Sequence, residues 1–312
     1  MSLLFEVFLN NLLPVFLSAG AGVALGRAFR PDLKTVTRLA FYIFSPCLVF
    51  ASLTQTEVTG AEFGQLAAFT LSIVAAMALL AAGLGRLLRL DRRELVTLVV
   101  AAAFVNSGNY GLAATRFAFG DEALARAVIF YIFSTISVYT LGIFVASLGR
   151  QTFAGALREI VSVPAFYALI AAALVRALGW TPPAFLSRTV DLLGQAAIPV
   201  MLVLLGLQMA ALRPHAEAWP RARRAVLAAA TLLQLVVAPL AALLLAAGLG
   251  LRGVTWQAAV LEASMPAAVI TTVLAVQYDL DAELMTGAVV LSTLLSPLTL
   301  TPLITYLLAA VR

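Results

Sequence analysis

One cysteine and one histidine are all that this chain offers of soft metal ligands and redox side chains. Cys47 lies inside an apolar run, so no disulfide can form within the chain and no cysteine metal cluster can be built. His215 sits in a basic loop with no second imidazole to join it, which excludes a histidine metal site. Charge is scarce too. Charged residues make up 11% of the 312, against about 25% in a soluble globular domain. Hydrophobic residues make up 62%, and mean hydropathy is +1.03. Such a composition describes a polytopic membrane protein whose length is used almost entirely by spans. No nucleophile, base or metal constellation stands out, with no Ser/His pair and no paired intramembrane acids, so an enzyme is not expected. No loop is long enough for a signalling domain, which argues against a sensor. The start, Met1-Ser2-Leu3-Leu4-Phe5-Glu6, lacks the basic region of a signal peptide, and the first span is expected to be retained.

What is present is a series of long apolar runs. A helix needs roughly 20 residues to cross the hydrocarbon core. Cutting at charge clusters and turn residues predicts an all-α membrane protein with ten spans, at 8–28, 35–55, 63–88, 95–118, 123–148, 162–179, 187–210, 225–249, 256–277 and 284–309. The net charge of +5 is topology information and not a nucleic-acid surface, because the basic residues fall at span ends. Of the 20 Lys and Arg residues, 14 fall in loops on one side. The outward six are Arg116, Arg126, Arg176, Arg188, Arg252 and Arg312. The positive-inside rule then predicts both termini outside, and the membrane is expected to be a plasma (bacterial inner) membrane.

The two halves match. Pro14 and Pro164 are 150 residues apart, Pro46 and Pro199 are 153 apart, and so are Gln55 and Gln208. Asp121 and Asp279, and Ser134-Thr135 and Ser292-Thr293, are 158 apart. Offsets that grow slowly are what small loop insertions produce. Residues 1–150 and 151–312 are therefore expected to be two five-span repeats. Five is odd, so the second copy enters the membrane upside down.

Two polar breaks fall at corresponding places in these repeats. Asn106-Ser107-Gly108-Asn109-Tyr110-Gly111 interrupts one span and Ser264-Met265-Pro266 the other. Irregular backbone at membrane depth is tolerated only in protein or around a wet cavity, and paired breaks point to a transporter's substrate site. The expected substrate-binding residues are Asn106, Ser107, Gly108, Asn109, Tyr110, Gly111, Met265, Pro266 and Ala267. Gly and Asn let the chain unwind. Half-helices starting near Leu112 and near Ala267 would turn positive dipole ends toward an anion. Pro266 has no N–H, which is expected to leave the Glu262 carbonyl without its helical partner. Glu262 lies about seven residues into its span, roughly 10 Å deep. Close to the negative end of a half-helix, it should hold a proton or a cation at rest, and is the coupling-ion candidate. Ser134, Thr135, Ser292 and Thr293 are secondary candidates that could equally bond their own helices. The prolines elsewhere in the spans read as kinks, and Arg116 as a rim residue.

At these residues the chain resembles the auxin efflux carrier family, across nearly its whole length. The similar stretches are Ser45-Pro46-Cys47-Leu48-Val49-Phe50, Asn106–Leu112 leading to Phe119-Gly120, Met265-Pro266-Ala267-Ala268, and the run Val290–Leu300. The resemblance implies ten helices as inverted repeats, with scaffold and transport parts that each draw helices from both repeats. It implies that crossing helices 4 and 9 hold the substrate and move as an elevator. Family substrates include auxin and small dicarboxylates such as malate or malonate. One departure is Ala113, where bacterial members commonly carry proline. Glu262 is also similar to an acid in the ninth helix of the distantly similar bile acid:sodium symporters.

The expected function is a secondary-active carrier of a small organic anion in a lipid bilayer, with no cofactor beyond a coupling ion, H⁺ or Na⁺. The alternatives are a sodium symporter of a larger amphipathic anion and an uncoupled uniporter or channel. A homodimer stays open, because exposed apolar faces look the same as lipid contacts.

Overall fold

The computed structural model describes residues 3–147, 161, 163–212, 219 and 221–311. His215, Arg150, Arg158, Arg213 and Arg312 lie outside the described residues.

The described residues are almost all helical and contain no strand beyond one isolated bridge. Among the described residues, seven helices are long and apolar enough to cross a membrane. They are α1 (Leu3–Phe29), α2 (Leu33–Gln55), α3 (Gly60–Leu87), α5 (Ser107–Ala146), α7 (Ala184–Ala211), α8 (Arg223–Gly248) and α11 (Ala282–Ala309). The shorter helices are α4 (Arg92–Ala103), α6 (Pro164–Ala177), α9 (Gly253–Ala263) and α10 (Ile270–Gln277). These boundaries follow the predicted first, second, third, sixth, seventh, eighth and tenth spans to within a few residues, whereas the predicted fifth is joined in α5 to the second piece of the fourth. The predicted fourth and ninth spans each appear as two pieces, cut at the two polar breaks.

Local chemistry sets the ends. Thr59 with Glu62, and Asp91 with Glu94, form capping boxes that start α3 and α4. Asp32 caps α2 and Asp281 caps α11, each accepting backbone N–H groups. Gly120, at φ 82° and ψ −171°, folds α5 sharply into two segments, a backbone state that only glycine adopts easily. Pro14, Pro46 and Pro239 each follow a turn widened to π geometry, at Phe8–Leu12, Ala40–Phe44 and Leu233–Val237. A proline ring collides with the carbonyl four residues earlier, and the widened turn relieves that collision. The kinks expected at these three prolines take this form.

The helices pack in two groups. In one, α1 and α2 lie against α7, and α6 lies against α2. Small residues bring α1 and α7 together. A Cβ at Gly22 would overlap the Val203 carbonyl, and one at Gly206 the Ala19 carbonyl, so the backbones touch. In the other group, α3 packs on α4 and α5, α9 on α5 and α8, and α10 on α11.

Polar contacts between loops fall into two sets. Arg93 pairs with Asp279, and Arg223 with Asp281 and Glu283. At the opposite helix ends, Arg126 pairs with Glu62 at 2.8 Å and Glu122 at 3.5 Å, and also bonds Thr255. Arg176 donates to the carbonyls of Leu53 and Thr56, and Gln55 to Asp191. Each contact joins loops that the span count places on the same side of the membrane.

Candidate functional site

The first break is made by three residues. Phe104 and Val105 are extended, and Asn106, at φ −80° and ψ 61°, turns the chain. The Ser107 N–H donates to the Val105 carbonyl at 2.9 Å, which makes this an inverse γ-turn centred on Asn106. Helix resumes at once, as a π turn over Ser107–Gly111 that runs into the rest of α5, with the Gly111 N–H on the Asn106 carbonyl at 3.0 Å. The half-helix therefore starts at Ser107, not near Leu112. An asparagine at the γ-turn is enough to break the chain, and the two glycines are helical.

Those glycines do a different task. A Cβ at Gly108 would come within 2.8 Å of the Tyr131 ring, and one at Gly111 would overlap the Glu262 carboxylate. They make room for side chains from the other parts of the fold that pack on this turn.

The second break answers the first. After α9, Ser264 to Val269 leave the helix, and the next half-helix begins at Ile270 and not near Ala267. The Glu262 carbonyl is not left free by Pro266, because the Met265 N–H reaches it at 3.3 Å in a tightened last turn. The expectation of an open backbone acceptor there is corrected. The Pro266 carbonyl instead accepts the Asn106 N–H at 2.8 Å, and the Ala268 N–H donates to the Phe104 carbonyl at 2.9 Å. These bonds flank an antiparallel bridge between Val105 and Ala267. The breaks thus cross and satisfy each other's backbone in the middle of the protein. Two helix C-termini, of α4 and α9, and two N-termini, of α5 and α10, converge on them.

Side chains from three other helices brace the crossing. Gln234 of α8 donates to the carbonyls of Ala101 at 2.7 Å and Ala102 at 3.1 Å, capping the end of α4. The Ala267 N–H donates to the Ser292 hydroxyl of α11 at 3.2 Å. Tyr110 is fully buried, edge-on to Phe16, with its hydroxyl 3.0 Å from Ser296. Asn109, half-buried, donates from Nδ2 to Gln208 Oε1 of α7 at 3.2 Å. Tyr131 of α5 bonds Ser45 of α2 at 3.2 Å.

Among the described residues five buried side-chain polar atoms have no partner in the protein: Asn106 Nδ2, Glu262 Oε2, Thr293 Oγ1 and Gln234 Oε1 on the elements of the crossing and its braces, and Arg223 Nε at the loop ion pairs. Glu262 is 0% exposed, and its other oxygen accepts a bond from Thr115 Oγ1 at 2.9 Å. Buried polar atoms are nearly always satisfied, so the unmet ones at the crossing make it the candidate site.

Most of the expected residues therefore lie together. Asn106, Ser107, Met265, Pro266 and Ala267 are buried at the crossing, with Glu262 beside Gly111. Of the secondary candidates, Ser292 braces the second break and Thr293 is unpartnered. Ser134 and Thr135 bond neither break. Arg116 pairs with Asp121 at 2.7 Å in a partly exposed contact, in keeping with a rim position. Gln208, Gln234, Ser296 and Thr115 were not visible as site residues. Only Gln208 had drawn notice, as the repeat partner of Gln55, yet Gln55 bonds Asp191 instead.

The family profile described as "Membrane transport protein" matches residues 7–154 and 148–304, together nearly the whole chain. The chain belongs to this family, that of the auxin efflux carriers. It is similar to an "Uncharacterized transporter" of Methanothermobacter thermautotrophicus, 30% identical over 87% of this chain and 88% of the relative. It is also similar to the "Putative malonate transporter" of Rhizobium meliloti, 30% identical over 84% of this chain and 83% of that protein. Auxin efflux carrier component 1 of Arabidopsis thaliana is 33% identical over a shorter stretch, 38% of this chain and 18% of the plant protein. The protein is thus a multi-pass membrane transporter of the auxin efflux carrier family.

Proposed function

We propose that this transporter is a secondary-active carrier of a small organic anion, a dicarboxylate such as malonate or an auxin-like monocarboxylate, bound where the two breaks cross. The observation that carries the reading is the unpartnered, buried Asn106 Nδ2 at the start of a half-helix, set on the crossing itself. A helix N-terminus with free donors favours an anion without any arginine. In this reading Asn106, Ser107 and Asn109 donate to the carboxylate, and the N-termini of α5 and α10 supply positive potential. Tyr110 joins them by exchanging its bond to Ser296. Glu262 carries the coupling ion. The relative named for malonate supports the substrate class.

The same proposal includes ten crossings in two inverted repeats. Its support is that every inter-loop ion pair joins loops assigned to one side, and that α1 and α2 pack with α6 and α7 while the remaining helices pack together. We read the first group as the scaffold and the second as the part that moves, in a membrane with both termini outside. The two groups meet through bonds that can be exchanged, Asn109 to Gln208 and Tyr131 to Ser45. The test is counterflow of labelled carboxylates in proteoliposomes. Saturable counterflow lost in Asn109→Ala supports a carrier with this site. Flux without counterflow indicates a channel, and transport of large amphipathic anions alone indicates the sterol-like alternative.

A further inference from the structure

Glu262 has an environment that selects its coupling ion. It is completely buried, with Thr115 Oγ1 on one oxygen and no protein partner on the other. Among the described residues, the elements packed on α9 bring no counter-charge to it. On α5, Arg116 is bonded to Asp121 and Arg126 to Glu62, which is the acid of α3. Arg223 of α8 is bonded to Asp281 and to Glu283 of α11, and the Tyr110 phenol is bonded to Ser296. Ionising a lone carboxylate so deep in protein without a partner is costly, and a bound proton removes that cost.

A metal cation would need a shell of oxygen ligands. Here there is little to coordinate: among the described residues Thr115 Oγ1 is the one side-chain oxygen bonded to the carboxyl. The carbonyls of Glu262 and Asn106 accept the N–H groups of Met265 and Gly111. No group of three acidic, histidine or cysteine side chains exists among the described residues. A proton needs none of these.

Position then couples the proton to the substrate. Gly111 and Thr115, which hold the carboxyl, belong to the opening turns of α5, the same half-helix whose N-terminus is the proposed anion site. Gly111 is about 6 Å along the axis from Ser107. An ionised Glu262 would repel an anion bound there and weaken it by about tenfold or more at such a separation. Protonation removes that repulsion, and by linkage a bound anion raises proton affinity equally.

We infer, building on the carrier reading above, that Glu262 takes up one proton with each substrate anion, so that the protein is a proton–anion symporter. The step is a proton transfer: on one side of the membrane a hydronium ion gives its proton to the free carboxyl oxygen and leaves as water, and on the other side that O–H bond breaks as water takes the proton back.

The test uses the full-length protein in proteoliposomes with labelled malonate, under an imposed pH gradient or sodium gradient, comparing wild type with Glu262→Gln. A gradient of about one pH unit, acid outside, should drive about tenfold accumulation by wild type. Glu262→Gln should lose that accumulation, and its counterflow should lose the pH dependence of wild type. Accumulation driven by sodium and not by pH, or pH-driven accumulation retained in Glu262→Gln, would overturn the inference. Absence of malonate counterflow in wild type would count against the substrate reading instead. Infrared titration of the reconstituted protein then decides the proton separately. A protonated-carboxyl band at neutral pH that disappears in Glu262→Gln supports it, and a wild type without that band overturns it.

Discussion

Asn109 Nδ2 donates to Gln208 Oε1 at 3.2 Å, and this bond ties the first break to the helix group built around α1 and α7. If Asn109 is to bind a carboxylate, it must give up Gln208. A neutral hydrogen bond contributes about 1 kcal/mol net. Gln208→Leu is therefore expected to tighten carboxylate binding by about fivefold, as read by equilibrium binding to the purified protein. Unchanged or weaker binding would mean that the two amides do not compete with substrate.

Gly111 is the only residue type that fits beside the Glu262 carboxylate. Gly111→Ala forces the two apart in a packed interior, and overpacking of this kind destabilises by about 1–3 kcal/mol. Thermal unfolding in detergent should show the loss. Gly64→Ala, where a Cβ meets nothing within 4 Å, should show none.

The end of α4 depends on one side chain. Without the Gln234 amide the carbonyls of Ala101 and Ala102 lose a buried donor. Gln234→Leu is expected to destabilise by about 1–3 kcal/mol. It should also reduce transport, because the crossing is held from this side. The paired measurement is a melting curve with a counterflow rate.

Arg126 is 5% exposed and is bridged to Glu62, which also accepts Thr255 Oγ1 at 2.7 Å. Glu62→Gln leaves a buried guanidinium with only the exposed Glu122 as counter-charge. Breaking one side of a buried pair costs about 3–5 kcal/mol, and replacing both partners with apolar residues costs less. The double variant Glu62→Leu/Arg126→Met should melt above Glu62→Gln.

Hydropathy and charge made the helices legible, because a bilayer demands long apolar runs with basic ends. The breaks were legible because few residues tolerate irregular backbone at such depth. The misreadings share a cause. Gly108 and Gly111 suggest unwinding when read locally, yet they are helical and small because Tyr131 and Glu262 press against them. That pressure comes from residues 23 and 151 positions away, and nothing local announces it. Gln234, Ser296 and Thr115 escaped notice for the same reason: a polar residue in an apolar helix names a need for a partner but not which one. Arg126 looked like an ordinary loop arginine, and only folding brings Glu62 and Thr255 to it.

The central claim is that the anion binds where the breaks cross, and the most direct measurement is equilibrium binding of the carboxylate best exchanged in counterflow. A hydrogen bond to a charged ligand contributes about 1.5–3 kcal/mol, so Asn106→Ala should weaken binding by about tenfold or more. Gln55→Ala, bonded to Asp191 and not to either break, should bind as wild type does. If Asn106→Ala melts like wild type and binds the carboxylate just as tightly, the crossing is not the substrate site.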